Sequence, residues 1–160
     1  MAYHDDLLSQ ARDLIHRNRP NSTQADLRRA VSTSYYALFH LLVSETTRNW
    51  SRDSSRDSLG RMFDHALMRK ASNRILDRRL FPFPGEDQAL VLNLRTVAQA
   101  FVDLQDSRHI ADYHNGIHWA PVESLEEVDK ASRAFQTWAT IRHENIAQEY
   151  LVSLLIKPRD

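Results

Sequence analysis

Arg108, His109 and His114 stand close together in the run Arg108-His109-Ile110-Ala111-Asp112-Tyr113-His114, and their side chains suit phosphate chemistry. A guanidinium donates paired hydrogen bonds to phosphoryl oxygens, most strongly where negative charge is building up. A free imidazole, with a pKa of about 6.5, takes up and returns a proton near neutral pH. Held beside a phosphate, the guanidinium could steady developing negative charge while the imidazole moves a proton.

The surrounding sequence must place these groups. Val97, Phe101 and Leu104 recur at helical steps, and the next step of four lands on Arg108. A charge on the core-facing stripe of a helix is costly without a partner, so Arg108 is expected to line a cleft. On a continuous helix, six steps of about 100° put Arg108 and His114 roughly 120° apart. They converge only if the helix ends near Tyr113, as the following Asn115-Gly116 suggests, or if a second copy supplies one of them.

Three glycines, five prolines and helical periodicity throughout predict an all-α, up-and-down bundle of four to five helices, one domain spanning residues 1–160. The first helix is expected over Asp5–Asn18, closed by Pro20. The second starts after Asn21 or Ser22 and is apolar on two faces, which makes it the central, most buried one. Trp50–Asp57 reads as a loop, Ser58–Arg79 as a third helix, and Phe81-Pro-Phe-Pro-Gly85 as an extended break. Glu86 and Asp87 open a fourth helix that runs to about Tyr113. The last begins near Ser124, where Ser124-Leu-Glu-Glu127 has capping-box spacing, and reaches towards Ile156. At 1.5 Å per residue it would approach about 50 Å, so a break near His143–Asn145 or an overhang on a partner is expected.

Composition excludes several classes. Lys and Arg total 21, as do Asp and Glu, so no global field draws in nucleic acid. The absence of Cys removes disulfides, thiolate metal sites and a Cys nucleophile, and fits a reducing compartment. An acidic start and short apolar runs argue against a signal peptide or a membrane span, so the reading is soluble and cytoplasmic.

The second helix and the Arg108–His114 run share a likeness. Leu27-Arg28-Arg29-Ala30-Val31-Ser32-Thr33-Ser34-Tyr35-Tyr36-Ala37-Leu38-Phe39-His40 resembles the signature helix of the HEPN superfamily. Arg108 to His114 resembles that family's second hallmark, an arginine, a polar residue and, after four to six intervening residues, a histidine. Ala111-Asp112-Tyr113, then Glu123-Ser124-Leu125-Glu126-Glu127 and a final helix, follow in the family's order, so the likeness covers roughly residues 24–135. It implies a helical homodimer whose motifs meet across a shared cleft. It also implies metal-independent endoribonuclease activity of toxin–antitoxin or defence type, with no cofactor. Arg108 and His114 would hold the catalytic places, His109 the polar place, and Asp112 a supporting one. It further implies RNA as substrate and a minimal nucleotidyltransferase as antitoxin. Other members, with or without an intact motif, bind nucleotides or serve only as dimerisation and partner-binding modules.

The same residues also fit plainer roles. Arg108 and Asp112 stand i, i+4 and could form an intrahelical salt bridge, and His114 could simply end a helix in the favourable field of its dipole. His109, Asp112, His114 and His118 are metal-compatible side chains, but their spacing matches no established metal motif. Tyr35, Tyr36 and Phe39 are read as core and not as base-stacking platforms, since they lie on the buried helix, and His40, His65 and His143 as structural or surface residues. Between Arg61 and Leu80 basic residues exceed acidic ones by four. Arg69, Lys70, Arg74 and Arg78 are therefore candidates to contact RNA phosphates, or else form an ordinary solvated face.

Overall fold

In a computed structural model, residues 1–159 are described, and these are all-α, with seven helices and no strand. The helices are α1 (Tyr3–His16), α2 (Gln24–Thr47), α3 (Asp53–Gly60), α4 (His65–Leu76), α5 (Gln88–Tyr113), α6 (Pro121–Ile141) and α7 (Asn145–Ser153).

Seven helices replace the expected four to five because two expected elements are interrupted. The third was expected over Ser58–Arg79 but divides into α3 and α4. Asp64 takes an extended backbone, and its carboxylate accepts the Leu67 amide at 2.9 Å, which starts a fresh helix there. The Ser/Arg/Asp stretch expected to be a loop supplies most of α3, with Asp53 in its first turn. The long last element breaks at residues 142–144, as its length required, and separates α6 from α7. The capping box at Ser124 is not used. The helix starts three residues earlier at Pro121, whose fixed φ and missing N–H suit a first helical position. Ser124 is instead fully buried, and its hydroxyl donates to the Leu27 carbonyl at 3.3 Å. Glu86 and Asp87 were expected to open the fourth helix; α5 starts just after them at Gln88, and the Asp87 carboxylate accepts the Ala89 and Leu90 amides.

The chain divides into two compact units, residues 1–41 with 103–135 and residues 42–102 with 136–160. In the first, Ala11, Leu14 and Ile15 of α1 pack in one cluster with Leu27, Ala30 and Val31 of α2. Ala111 of α5, Val128 of α6 and Trp119 of the segment between them complete it. The helical members are 3–4 spaced apolar positions, and their burial is the main stabilising term. From Ala30 to Leu42, α2 is buried at almost every position, as its two apolar faces require. In the second unit, α4 and α7 are tied by a buried hydrogen bond between Ser72 and Tyr150, 2.8 Å. Glu45 is ion-paired there with Arg142 at 2.8 Å and Arg48 at 3.2 Å. No helix among the described residues is long and apolar enough to cross a membrane.

Candidate active site

Arg108 lies in the last turns of α5, in the first unit, with its side chain 18% exposed. The stripe that leads to it is buried, Val97, Phe101 and Leu104 all being inaccessible, so the arginine does sit where a core residue would come next. Aromatic rings of α2 accommodate it. Its guanidinium carbon lies 5.3 Å from the Tyr35 ring centre and 5.6 Å from that of Tyr36. Nη1 donates to the Tyr36 hydroxyl at 3.1 Å, and Nε is buried with no hydrogen-bond partner.

The expected i, i+4 pair with Asp112 forms, but loosely. Nη1 to Oδ2 measures 3.7 Å, well beyond the roughly 2.7–2.9 Å of a charge-assisted hydrogen bond. Asp112 is also near the Ser32 hydroxyl, at 3.4 Å. At this separation the carboxylate neutralises the guanidinium only loosely.

The two histidines form a second group. His109 and His114 are exposed, and their rings meet edge to face with centres 5.9 Å apart. The Tyr113 ring also lies against His109, centre to centre 5.0 Å. The helix ends at Tyr113, yet the His114 amide still donates to Ile110 at 2.9 Å and stays on the helical track. Termination therefore does not swing His114 back to Arg108. No hydrogen bond or ring contact joins the two within one chain.

Two residues of α2 that the sequence reading gave no role hold this corner. Arg28 donates to the carbonyls of Ala111 at 2.9 Å, His114 at 3.1 Å and Asn115 at 3.3 Å, and also to that of Ile117. It satisfies backbone acceptors that a helix end and the turn after it leave open. A clue lay in its place: a cation in the second turn of a helix sits at the wrong end of the dipole and calls for another partner. Gln24 grips the next segment, its amide donating to the Trp119 carbonyl at 2.7 Å and accepting the Trp119 amide at 2.9 Å.

Family models, curated proteins and solved structures give no significant match to this chain.

His118 approaches only the Gln24 side chain, at 3.5 Å. Among the described residues no three His, Asp or Glu side chains gather as a metal-holding group, so His109, Asp112, His114 and His118 are no such cluster. Tyr36 corrects the reading of the aromatic trio. Tyr35 and Phe39 are buried, whereas Tyr36 is half-buried and lines a groove.

The basic candidates of α4 belong to the second unit. Lys70 and Arg74, one helical turn apart, line a shallow pocket of about 210 Å³ with Lys157. Arg69 and Arg78 lie outside it, Arg69 half-buried on α4 and Arg78 exposed just beyond that helix.

Proposed function

We propose that the chain is a HEPN-like endoribonuclease that cleaves RNA by 2′-hydroxyl attack without a metal, at a site composed across a homodimer. The observation that carries this reading is an under-neutralised guanidinium, Arg108, one residue from an exposed imidazole pair, His109 and His114. Arg108 binds the phosphoryl oxygens and takes up the charge of the phosphorane. His114 moves the proton, and His109 orients it through their ring contact. Because Arg108 and His114 do not touch within one chain, each pairs with its counterpart in a second copy. Exposed Tyr113, Ile117 and Val122 beside the motif supply apolar surface for that contact.

The test is cleavage of single-stranded RNA by purified protein. Arg108→Ala and His114→Ala should each lower the rate by roughly two to four orders of magnitude. Products should end in a 2′,3′-cyclic phosphate, and EDTA should leave the rate unchanged.

A second reading has its own support. Arg108 already has Tyr36 and Asp112 for company, and the same apolar residues would equally serve a different protein. On that reading the chain is a non-catalytic helical module that docks a partner such as a nucleotidyltransferase. Intact RNA after incubation with folded wild type, together with Arg108→Ala lowering only stability, would establish the module and end the nuclease.

A further inference from the structure

A groove of about 460 Å³ runs between α1 and α2 in the first unit. Both walls follow the same 4-3-4 spacing, Tyr3, Leu7, Gln10 and Leu14 facing Arg29, Thr33, Tyr36 and His40. Facing stripes of packed helices are ordinarily apolar. Here the α2 stripe carries a cation, two hydroxyls and an imidazole, and the two helices leave space between them instead of closing on each other. The volume falls in the range of small-molecule sites, roughly 300–1,000 Å³.

The lining specifies its occupant. No Asp or Glu lines the groove, and the exposed Arg29 makes no hydrogen bond or ion pair among the described residues, so its charge is open to an anion. Aromatic rings line the groove further along α2, with Tyr3 and His40 meeting at 4.8 Å and Tyr36 one helical turn before His40. A cation with flat rings and neutral hydrogen-bonding groups, here Thr33 and Gln10, is the chemistry that recognises an unpaired nucleotide. Tyr36 belongs to both places, lining the groove while its hydroxyl accepts the bond from Arg108 at 3.1 Å.

We infer that this groove seats one unpaired nucleotide of single-stranded RNA next to the phosphate that Arg108 engages. Arg29 pairs with a backbone phosphate and Tyr36 is the stacking platform. This rests on the ribonuclease reading for the identity of the neighbouring site. It adds that the substrate is unpaired at that nucleotide, because bases stacked in a duplex cannot enter a groove between two helices.

The experiment measures binding apart from cleavage. A fluorescein-labelled 2′-O-methyl octaribonucleotide, which lacks the attacking hydroxyl, is titrated by anisotropy, alone and annealed to its complement. Wild type should bind the single strand at least about tenfold tighter than the duplex. Arg29→Ala should weaken single-strand binding about tenfold and flatten the log K against log salt slope by about 0.7, the loss of one phosphate contact. Tyr36→Leu should weaken it by about tenfold as well, through lost stacking. Arg133→Ala, an exposed cation on α6 of the same unit outside the groove, should bind like wild type. Unchanged binding by Arg29→Ala, equal affinity for duplex and single strand, or no binding by wild type would each overturn the inference. The two readings fail separately. Arg29-dependent binding with no cleavage of an unmodified RNA removes the nuclease and keeps the groove, whereas cleavage with Arg29-independent binding does the reverse.

Discussion

The guanidinium of Arg28 on α2 donates to the carbonyl oxygen of His114, 3.1 Å away and 86 residues later in the chain. With Ala111, Asn115 and Ile117 on the same side chain, one cation fixes the backbone that carries the candidate proton donor. Hydrogen bonds to a charged group contribute about 1.5–3 kcal/mol each, less where water competes. Arg28→Ala should therefore cost about 2–3 kcal/mol in urea unfolding. Amide exchange at Asn115–His118 should accelerate beyond the global loss. Arg28→Lys should recover little, since a point charge cannot reach several carbonyls in one plane. Normal exchange in the alanine variant would show that the turn holds itself.

Much of this corner was legible in the sequence, and the reason for the rest is physical. The stripe from Val97 to Arg108 and the stop after Tyr113 follow from periodicity and turn chemistry, which act over a few residues. The all-helical class, the burial of α2 and the break before α7 follow in the same way. The grip of Arg28 and Gln24 on residues 111–119 does not, because no local pattern states which distant backbone a side chain reaches. Tyr36 was misplaced for a related reason. On a helix apolar on two faces, spacing alone does not say that α1 and α2 stand apart at one stripe. The unused box at Ser124 is a case of a proline and burial overriding a weaker local signal, whereas α3 buries no residue and its start has no packing explanation.

A composite site predicts complementation. Arg108→Ala and His114→Ala proteins, each nearly inactive alone, should regain about a quarter of wild-type cleavage when mixed after subunit exchange. Half of the random dimers are then mixed, and each mixed dimer has one intact site. Light scattering at micromolar concentration should give a dimer mass. A monomer, or no recovery on mixing, would rule out a shared site.

The cations of α4 should act on affinity and not on chemistry. Arg74→Ala, and likewise Arg78→Ala, should weaken RNA binding most at low salt and lower the salt slope by about 0.7. Cleavage at saturating RNA should be kept. Lys157→Ala should behave like Arg74→Ala, since both line the same pocket. A slope that does not move in any of the three would mark this face as merely solvated.

Stability should fall at both ends of the pH scale for identifiable reasons. The hydrogen bond from Arg17, at 2.7 Å, holds the Asp26 carboxyl below the ordinary carboxylate range, helped by its charge and by Asn18 and Thr23 and opposed by burial. A lowered folded pKa stabilises above the unfolded value of about 3.9 and is lost as pH falls through the folded one. Wild type and Asp26→Asn should therefore differ in urea midpoint at pH 7 and converge in strong acid. Burial pushes the Tyr150 phenol above the usual tyrosine range, with the Ser72 hydrogen bond opposing it. That stabilisation is complete below about pH 10 and drains away as pH rises further. Tyr150→Phe should flatten the alkaline limb, and an unchanged limb would show that another group controls it.

The grip on residues 111–119 also sets a time order for folding. Its hydrogen bonds join positions 83 to 95 apart in the chain, and such non-local closures form late, after nearby helical turns have settled. A nascent chain that has emerged only as far as α5 offers Arg28 one acceptor of its set, Ala111, and leaves Gln24 without Trp119. The corner carrying His114 can take its shape only once Trp119 has left the ribosome and docked. Whatever this corner does, it can begin only once Trp119 has reached Gln24 and the turn before it has closed on Arg28.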